Sequence, residues 1–168
     1  MSTTNPSPTV YGNKVNVTPH GDRGILISRS FHAPRSLVFD AMSKPELMKN
    51  WFHGPPGWTL TTCTMDLRPG GSYRWVWTNE KGHEMGMGGS IIDVAPPERM
   101  VTTEKFDQAW YPGEAMNTLV LTEKDGVTLM SLTVEYGSKE ARDGVLASPM
   151  ESGMEASYTR LDHYLAQR

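Results

Sequence analysis

The stretch TLVLTEKDGVTLMSLTVEYGSKEARDGVLASPMESGMEASYTRLDHYL, residues 118–165, decides the fold. Its first half holds two apolar, β-branched runs, Thr118 to Glu123 and Val127 to Tyr136. Between them stands Asp125-Gly126, a pair that a two-residue hairpin turn favours because both positions must reach positive φ. Its second half changes period. Met150, Met154, Ser157, Tyr158, Leu161 and Leu165 recur at spacings of three and four, which lays one mostly apolar stripe along a helix. Glu151, Glu155, Arg160 and Asp162 fall largely elsewhere. Ser148-Pro149-Met150-Glu151 combines a capping Ser, a Pro at the first helical position and a Glu completing a capping box, and predicts that the helix starts there. Gly153 inside that helix costs about 1 kcal/mol relative to Ala. It is either a tolerated Gly near a helix start or a place where something approaches the helix closely.

Upstream the same strand-and-turn grammar repeats. Gly24 to Phe31 is an apolar run ended by Ala33-Pro34, a first strand and a break. Leu37, Val38, Ala41 and Met42 fall at helical spacing, and Ser43 with Glu46 gives a capping-box pattern for a second short helix running into Trp51-Phe52. Thr59 to Leu67, Tyr73 to Thr78, Met85 to Val94 and Met100 to Phe106 then read as strands, divided by Pro69-Gly70-Gly71, Asn79 to Gly82 and Ala95-Pro96-Pro97. The loop around Tyr111-Pro112-Gly113 precedes the final hairpin. Short connections make neighbouring strands antiparallel, because a parallel crossover needs a dozen or more residues. The expectation is an α+β fold: a curved antiparallel sheet of six or seven strands around a long C-terminal helix, with two short helices after the first strand. Residues 1–22, rich in Ser, Thr, Pro, Asn and Gly, read as a flexible arm or irregular edge segment, and 23–168 as one domain.

Composition excludes several classes. Lys and Arg (16) nearly balance Asp and Glu (19), and with a formal charge of −3 and no basic cluster the chain lacks the cationic surface from which nucleic-acid binding draws its affinity. The single Cys63 cannot form an internal disulfide, which fits a reducing cytoplasm, and in a strand among Thr residues it reads as a buried, unreactive thiol. The N-terminal residues lack a signal-peptide pattern, and no apolar run approaches the roughly 20 residues of a membrane span, so neither secretion nor membrane insertion is expected. Five dispersed His residues form no HxxxH or HxH pattern, and no Walker loop, GxSxG or dinucleotide fingerprint is present. No metal and no cofactor is expected. A homodimer is left open.

Strand alternation places Tyr73, Trp75 and Trp77 on one face, which something must cover. They are core under the long helix or the wall of a pocket between sheet and helix, where apolar and aromatic linings are usual. Phe106, Met154 and Tyr158 join that wall, while Trp51, Phe52 and Trp58, at the junction of the short helices and the next strand, are the expected mouth. In Met100 to Phe106, Glu104 faces inward if Lys105 faces water; it is a polar anchor, or it sits at an edge or pairs with an Arg. Asp66 and Arg68 read as turn stabilisers, and His53 as a solvated loop residue or a residue at the cavity mouth.

The ordered set Phe31-His32-Ala33-Pro34-Arg35-Ser36-Leu37-Val38-Phe39, Trp51 to Pro55, Asp66 to Gly71, Gly82, Pro96 to Arg99 and Gly153 to Leu165 resembles the START-like (SRPBCC) superfamily. Within it the chain is similar to the family of homologues of the activator of the heat-shock chaperone ATPase. The resemblance runs from Ile25 to the C-terminus and implies the helix-grip fold: a strand, two helices, six strands and a long helix. Members often carry Trp shortly after the Gly of the last helix, where this chain has Met154, so one pocket wall is expected to differ in shape. The superfamily includes lipid carriers, hormone receptors and cyclases. Three functions follow: binding of a small apolar or aromatic molecule; a cyclase, aldolase or hydrolase type of enzyme using Glu104 or a cavity Tyr; and a chaperone-associated interaction module.

Overall fold

The computed structural model describes residues 14–109 and 111–168. Eight strands form one antiparallel sheet: β1 (Asn16–His20), β2 (Gly24–Phe31), β3 (Trp58–Met65), β4 (Ser72–Asn79), β5 (Glu84–Ala95), β6 (Arg99–Phe106), β7 (Ala115–Lys124) and β8 (Val127–Glu135). After β2 come the helices α1 (Arg35–Ser43) and α2 (Pro45–Met48), and the chain ends in α3 (Lys139–Ala147) and α4 (Met150–Ala166). The order β1-β2-β8-β7-β6-β5-β4-β3 is a meander from β3 to β8 whose last strand turns back to pair with β2. This is the α+β helix-grip fold, with one strand more than expected. The extra strand, β1, lies in the segment read as an arm and pairs with β2 at the sheet edge; the rest of that segment, residues 1–13, falls outside the described residues.

The β7–β8 hairpin turns at Asp125-Gly126 with φ of 54° and 77°, so Lys124 pairs directly with Val127. Elsewhere the sheet bends at bulges, between Leu60 and Thr62 in β3 and between Ile91 and Asp93 in β5. Glycine makes the closest approach in β5 possible, since a Cβ on Gly89 would stand 2.1 Å from the Thr103 carbonyl oxygen.

The apolar side chains gather in two clusters. The larger joins Ile25, Ile27 and Phe31 of β2, Val38 and Phe39 of α1, Leu119 and Leu121 of β7, Met130 and Val134 of β8, and Tyr158, Leu161 and Leu165 of α4. The smaller, toward β3, holds Met48, Leu60, Cys63, Tyr73, Trp77 and Met87. Phe52 and Met65 pack against both.

Two helix starts differ from expectation. Ser43 lies inside α1, buried, with its hydroxyl donating to the Phe39 carbonyl at 2.7 Å. Pro45 fixes the first turn of α2 behind Lys44, and that helix stops at Met48, short of Trp51-Phe52. Ser148 does not cap α4. It ends α3, its hydroxyl donating to the Val145 carbonyl at 2.6 Å, so its oxygen is turned away from the first amides of α4. The side-chain cap in this region is Ser138, whose Oγ accepts from the Ala141 amide at the start of α3.

Candidate functional site

β4 supplies the aromatic face. Tyr73 and Trp77 are buried with their polar atoms used: the Tyr73 hydroxyl donates to the Thr103 carbonyl at 2.6 Å, and Trp77 Nε1 donates to the Phe52 carbonyl at 2.9 Å. Trp75, between them in the alternation, is only partly buried. Its ring centroid lies 4.6 Å from Tyr73, 5.0 Å from Phe52 and 6.2 Å from Trp77. Its Nε1 is buried and has no hydrogen-bond partner among the described residues. An indole N–H in that condition costs about 1–3 kcal/mol in lost hydration. Trp58 at the start of β3 and Phe106 at the end of β6 are partly buried and pack against the same cluster.

Six of the ten residues expected at the site, Phe52, Trp58, Tyr73, Trp75, Trp77 and Phe106, therefore converge. Trp51, Met154 and Tyr158 belong to the larger cluster instead. Trp51, expected at the mouth, is 3% exposed, donates from Nε1 to the Ala41 carbonyl at 2.9 Å and stacks on Tyr158 at 6.0 Å. Tyr158 meets Phe31 edge-on at 5.6 Å. The room beside Gly153 is taken by the chain itself, because Pro55 Cγ would lie 3.2 Å from a Cβ there. Around that contact Gly54 N donates to Ser157 Oγ at 2.8 Å, and Arg160 donates to the Gly54 carbonyl at 2.8 Å. His53 Nδ1 accepts from the Leu60 amide at 3.0 Å. Burial and the neighbouring Arg160 charge lower its pKa.

The tenth residue, Glu104, sits on β6 opposite Ala115 of β7. Its Oε1 accepts from Asn117 Nδ2 at 3.0 Å. Burial raises the pKa of its carboxyl, opposed in part by that hydrogen bond. Three phenols feel the same group: burial first and the Glu104 charge second raise the pKa values of Tyr73, Tyr111 and Tyr136, Tyr111 to about 12. Tyr111 and Tyr136 meet edge-on at 5.5 Å. Glu104 keeps part of its surface accessible despite this enclosure. Asn117 Oδ1 is buried and has no partner among the described residues.

Asn117, Tyr111 and Tyr136 are not among the residues expected from sequence. Asn117 was findable, because Ala115, Asn117, Leu119 and Leu121 alternate on one face, but starting the strand at Thr118 cuts it off. A second omission is Arg29, fully buried on the inward face of β2 with Ile25, Ile27 and Phe31. Its guanidinium forks onto both oxygens of Asp162 at 2.9 and 2.8 Å and reaches Glu155 at 3.1 Å, tying β2 to α4. An Arg in an apolar alternation and two acids seven apart on a helix were the available signal.

Elsewhere, Arg68 pairs with Asp66 at 2.8 Å with both exposed, as a turn pair would. A surface hollow of about 220 Å³ lies beside His32, Asp162, Leu165 and Ala166. Among the described residues no group of three or more His, Cys, Asp or Glu could hold a metal ion, and no helix is long and apolar enough to cross a membrane.

An antiparallel sheet whose last strand turns back to pair with β2, packed with a long C-terminal helix, defines a START-like helix-grip protein. The chain belongs to the family described as Activator of Hsp90 ATPase homolog 1-like protein, which matches residues 32–166. A Rhodobacter sphaeroides protein of known structure is 33% identical, superposes with a TM-score of 0.87 and is covered over its full length, against 93% of this chain. A Mycobacterium smegmatis protein is 26% identical with a TM-score of 0.77, covering 90% of this chain and 96% of its own. The AHSA1 protein from Silicibacter pomeroyi, at 21% identity and a TM-score of 0.66, covers 86% of this chain and 98% of its own, and shares the fold. No functionally curated protein matches the chain.

Proposed function

We propose that the protein binds a small, mostly apolar molecule between the sheet and α4, against the wall formed by Tyr73, Trp75, Trp77 and Phe106, with Glu104 as polar anchor. The observation that carries this is Trp75. In an aromatic face whose other polar atoms are bonded, its ring is only partly covered and its indole N–H is left without a partner among the described residues. Folding tolerates such a group where something else completes it. The enclosed but still accessible Glu104 supports the same reading, since pockets of this kind set a few polar groups among many apolar ones.

Native mass spectrometry of freshly purified protein and titration of intrinsic tryptophan fluorescence test it. A co-purifying molecule, or a saturable fluorescence change that Trp75→Ala weakens, is the expected result. No binding from a broad panel of aromatic and acyl compounds would overturn it.

A catalytic reading has one observation in its favour, a carboxyl whose raised pKa suits proton transfer among Tyr hydroxyls. A turnover that Glu104→Gln abolishes would establish it. The interaction-module reading has less support. The exposed large apolar side chains among the described residues are Met85, Ile92 and Met116, on β5 and β7, which do not adjoin, whereas docking calls for a contiguous patch.

A further inference from the structure

Resting on that reading, we propose that Asn117 and Glu104 form a hydroxyl-recognition point on the inner face of the sheet, so that the ligand is an alcohol or a phenol held by its O–H. The two side chains meet at one place, where Asn117 Nδ2 donates to Glu104 Oε1 at 3.0 Å. That bond uses the amide nitrogen and settles which way the amide oxygen is turned. Asn117 Oδ1 is buried and has no partner among the described residues, and an amide oxygen is satisfied only by a donor. Leaving it so costs about 1–3 kcal/mol in lost hydration. The packing is closed around this pair and open at it. Ala115 and Leu119 on either side along β7, Thr102 opposite on β6 and Val134 opposite on β8 are all buried, whereas Asn117 and Glu104 both keep accessible surface.

The chemistry of the pair demands a donor. An ether or ketone oxygen brings lone pairs alone and leaves Asn117 Oδ1 as it was. A hydroxyl has one hydrogen and two lone pairs. Beside a protonated Glu104 it donates to Asn117 and accepts from the acid; beside an ionised one its hydrogen lies between two acceptors. The preference for O–H over an ether therefore holds in either form of the carboxyl. Among donors the hydroxyl is the smallest that carries no charge, which suits a gap bounded by the buried Ala115, Leu119 and Val134.

The test uses the full chain and a panel of alcohols and phenols, each beside an ether with the same number of non-hydrogen atoms; 3-phenylpropan-1-ol and 2-phenylethyl methyl ether are one such pair. Affinities are measured by calorimetry at pH 7.5. An alcohol should bind about tenfold or more tighter than its ether, the discrimination expected when a matched polar group is replaced by one that leaves a buried partner unpaired. Asn117→Leu removes the acceptor at similar volume and should abolish that advantage. An advantage that survives the substitution would place the partner of the hydroxyl elsewhere and overturn the assignment. Ethers that bind as tightly as their alcohols overturn the hydroxyl preference and leave the cavity standing, as does binding by other aromatic or acyl compounds when no alcohol binds. If nothing in the whole set binds, the cavity reading falls and this inference with it. Should Asn117→Leu fail to fold by circular dichroism, the side-chain amide resonances of Asn117 in the wild-type chain decide: they should move on saturation with the alcohol, and resonances that stay in place would remove Asn117 from the site.

Discussion

A carboxyl that loses its water on folding and gains only one amide donor holds its proton longer than a free one, and for Glu104 this has a measurable sign. Its folded pKa is raised above the ordinary value of 4.5. Its native-state contribution is therefore fully present below that pH and is lost as pH rises through the folded pKa. Glu104→Gln keeps an oxygen for Asn117 Nδ2 and removes the titration. The variant should be more stable than wild type at pH 8, with the gap closing toward pH 4, as measured by urea unfolding across that range. An equal gap at both ends would show that the carboxyl is hydrated after all. That Glu104 faces inward was legible from strand alternation, because alternation is a local property of β6. Its partners were not, because Asn117, Tyr111 and Tyr136 meet it only through the pairing of β6, β7 and β8. Arg29 fell between these cases. Its inward position could be read in β2, whereas its acids lie more than 120 residues away on α4.

Among the elements, the strands after β1 were legible to within about three residues and the starts of α2 and α4 to within one, while the residues that cap those helices were not. Turn residues mark strand ends by their own backbone preferences, but a Ser before a helix carries the same pattern whether its hydroxyl points forward or back. Ser138→Ala should cost about 0.5–2 kcal/mol by removing the cap of α3, and Ser148→Ala clearly less, in paired thermal melts. The apolar stripe of α4 was read correctly, and Leu161, fully buried, should cost about 2–5 kcal/mol as Leu161→Ala. The β2–α4 tie gives an asymmetric pair. Asp162→Ala takes from the buried Arg29 guanidinium the acid that it grips with both arms, and should cost about 3 kcal/mol. Arg29→Met leaves two acids whose side chains are 25% and 29% exposed and able to rehydrate. It should therefore cost less, as denaturation midpoints of the two variants would show.

At the scale of the whole molecule, the proposed binding of a ligand between sheet and helix requires that contacts with α4 release somewhere. The segment from Phe52 to Trp58 is the place the contacts single out: it covers the aromatic face from one side and is fastened to α4 by Gly54, Pro55, Ser157 and Arg160. Near its start it is fastened to β3 by His53, whose Nδ1 can accept from Leu60 only while that nitrogen is unprotonated. The folded pKa of His53 lies below the ordinary 6.5, because burial and the Arg160 charge disfavour the cation. Its contribution is thus present above that pH and is lost as pH falls through the folded value. Acid should loosen the segment at two points together, by removing the Leu60 acceptor and by placing a second positive charge beside Arg160. Amide exchange at residues 53–60, corrected for its intrinsic pH dependence, should show lower protection at pH 5 than at pH 7.5, while β7 and β8 keep theirs. The association rate of a bound aromatic probe should rise over the same interval. His53→Gln, which retains an acceptor oxygen and cannot titrate, should flatten both responses. If protection of the segment stayed constant with pH in the wild type, His53 would not be fastening it, and the route to the aromatic face would have to be sought elsewhere along the helix.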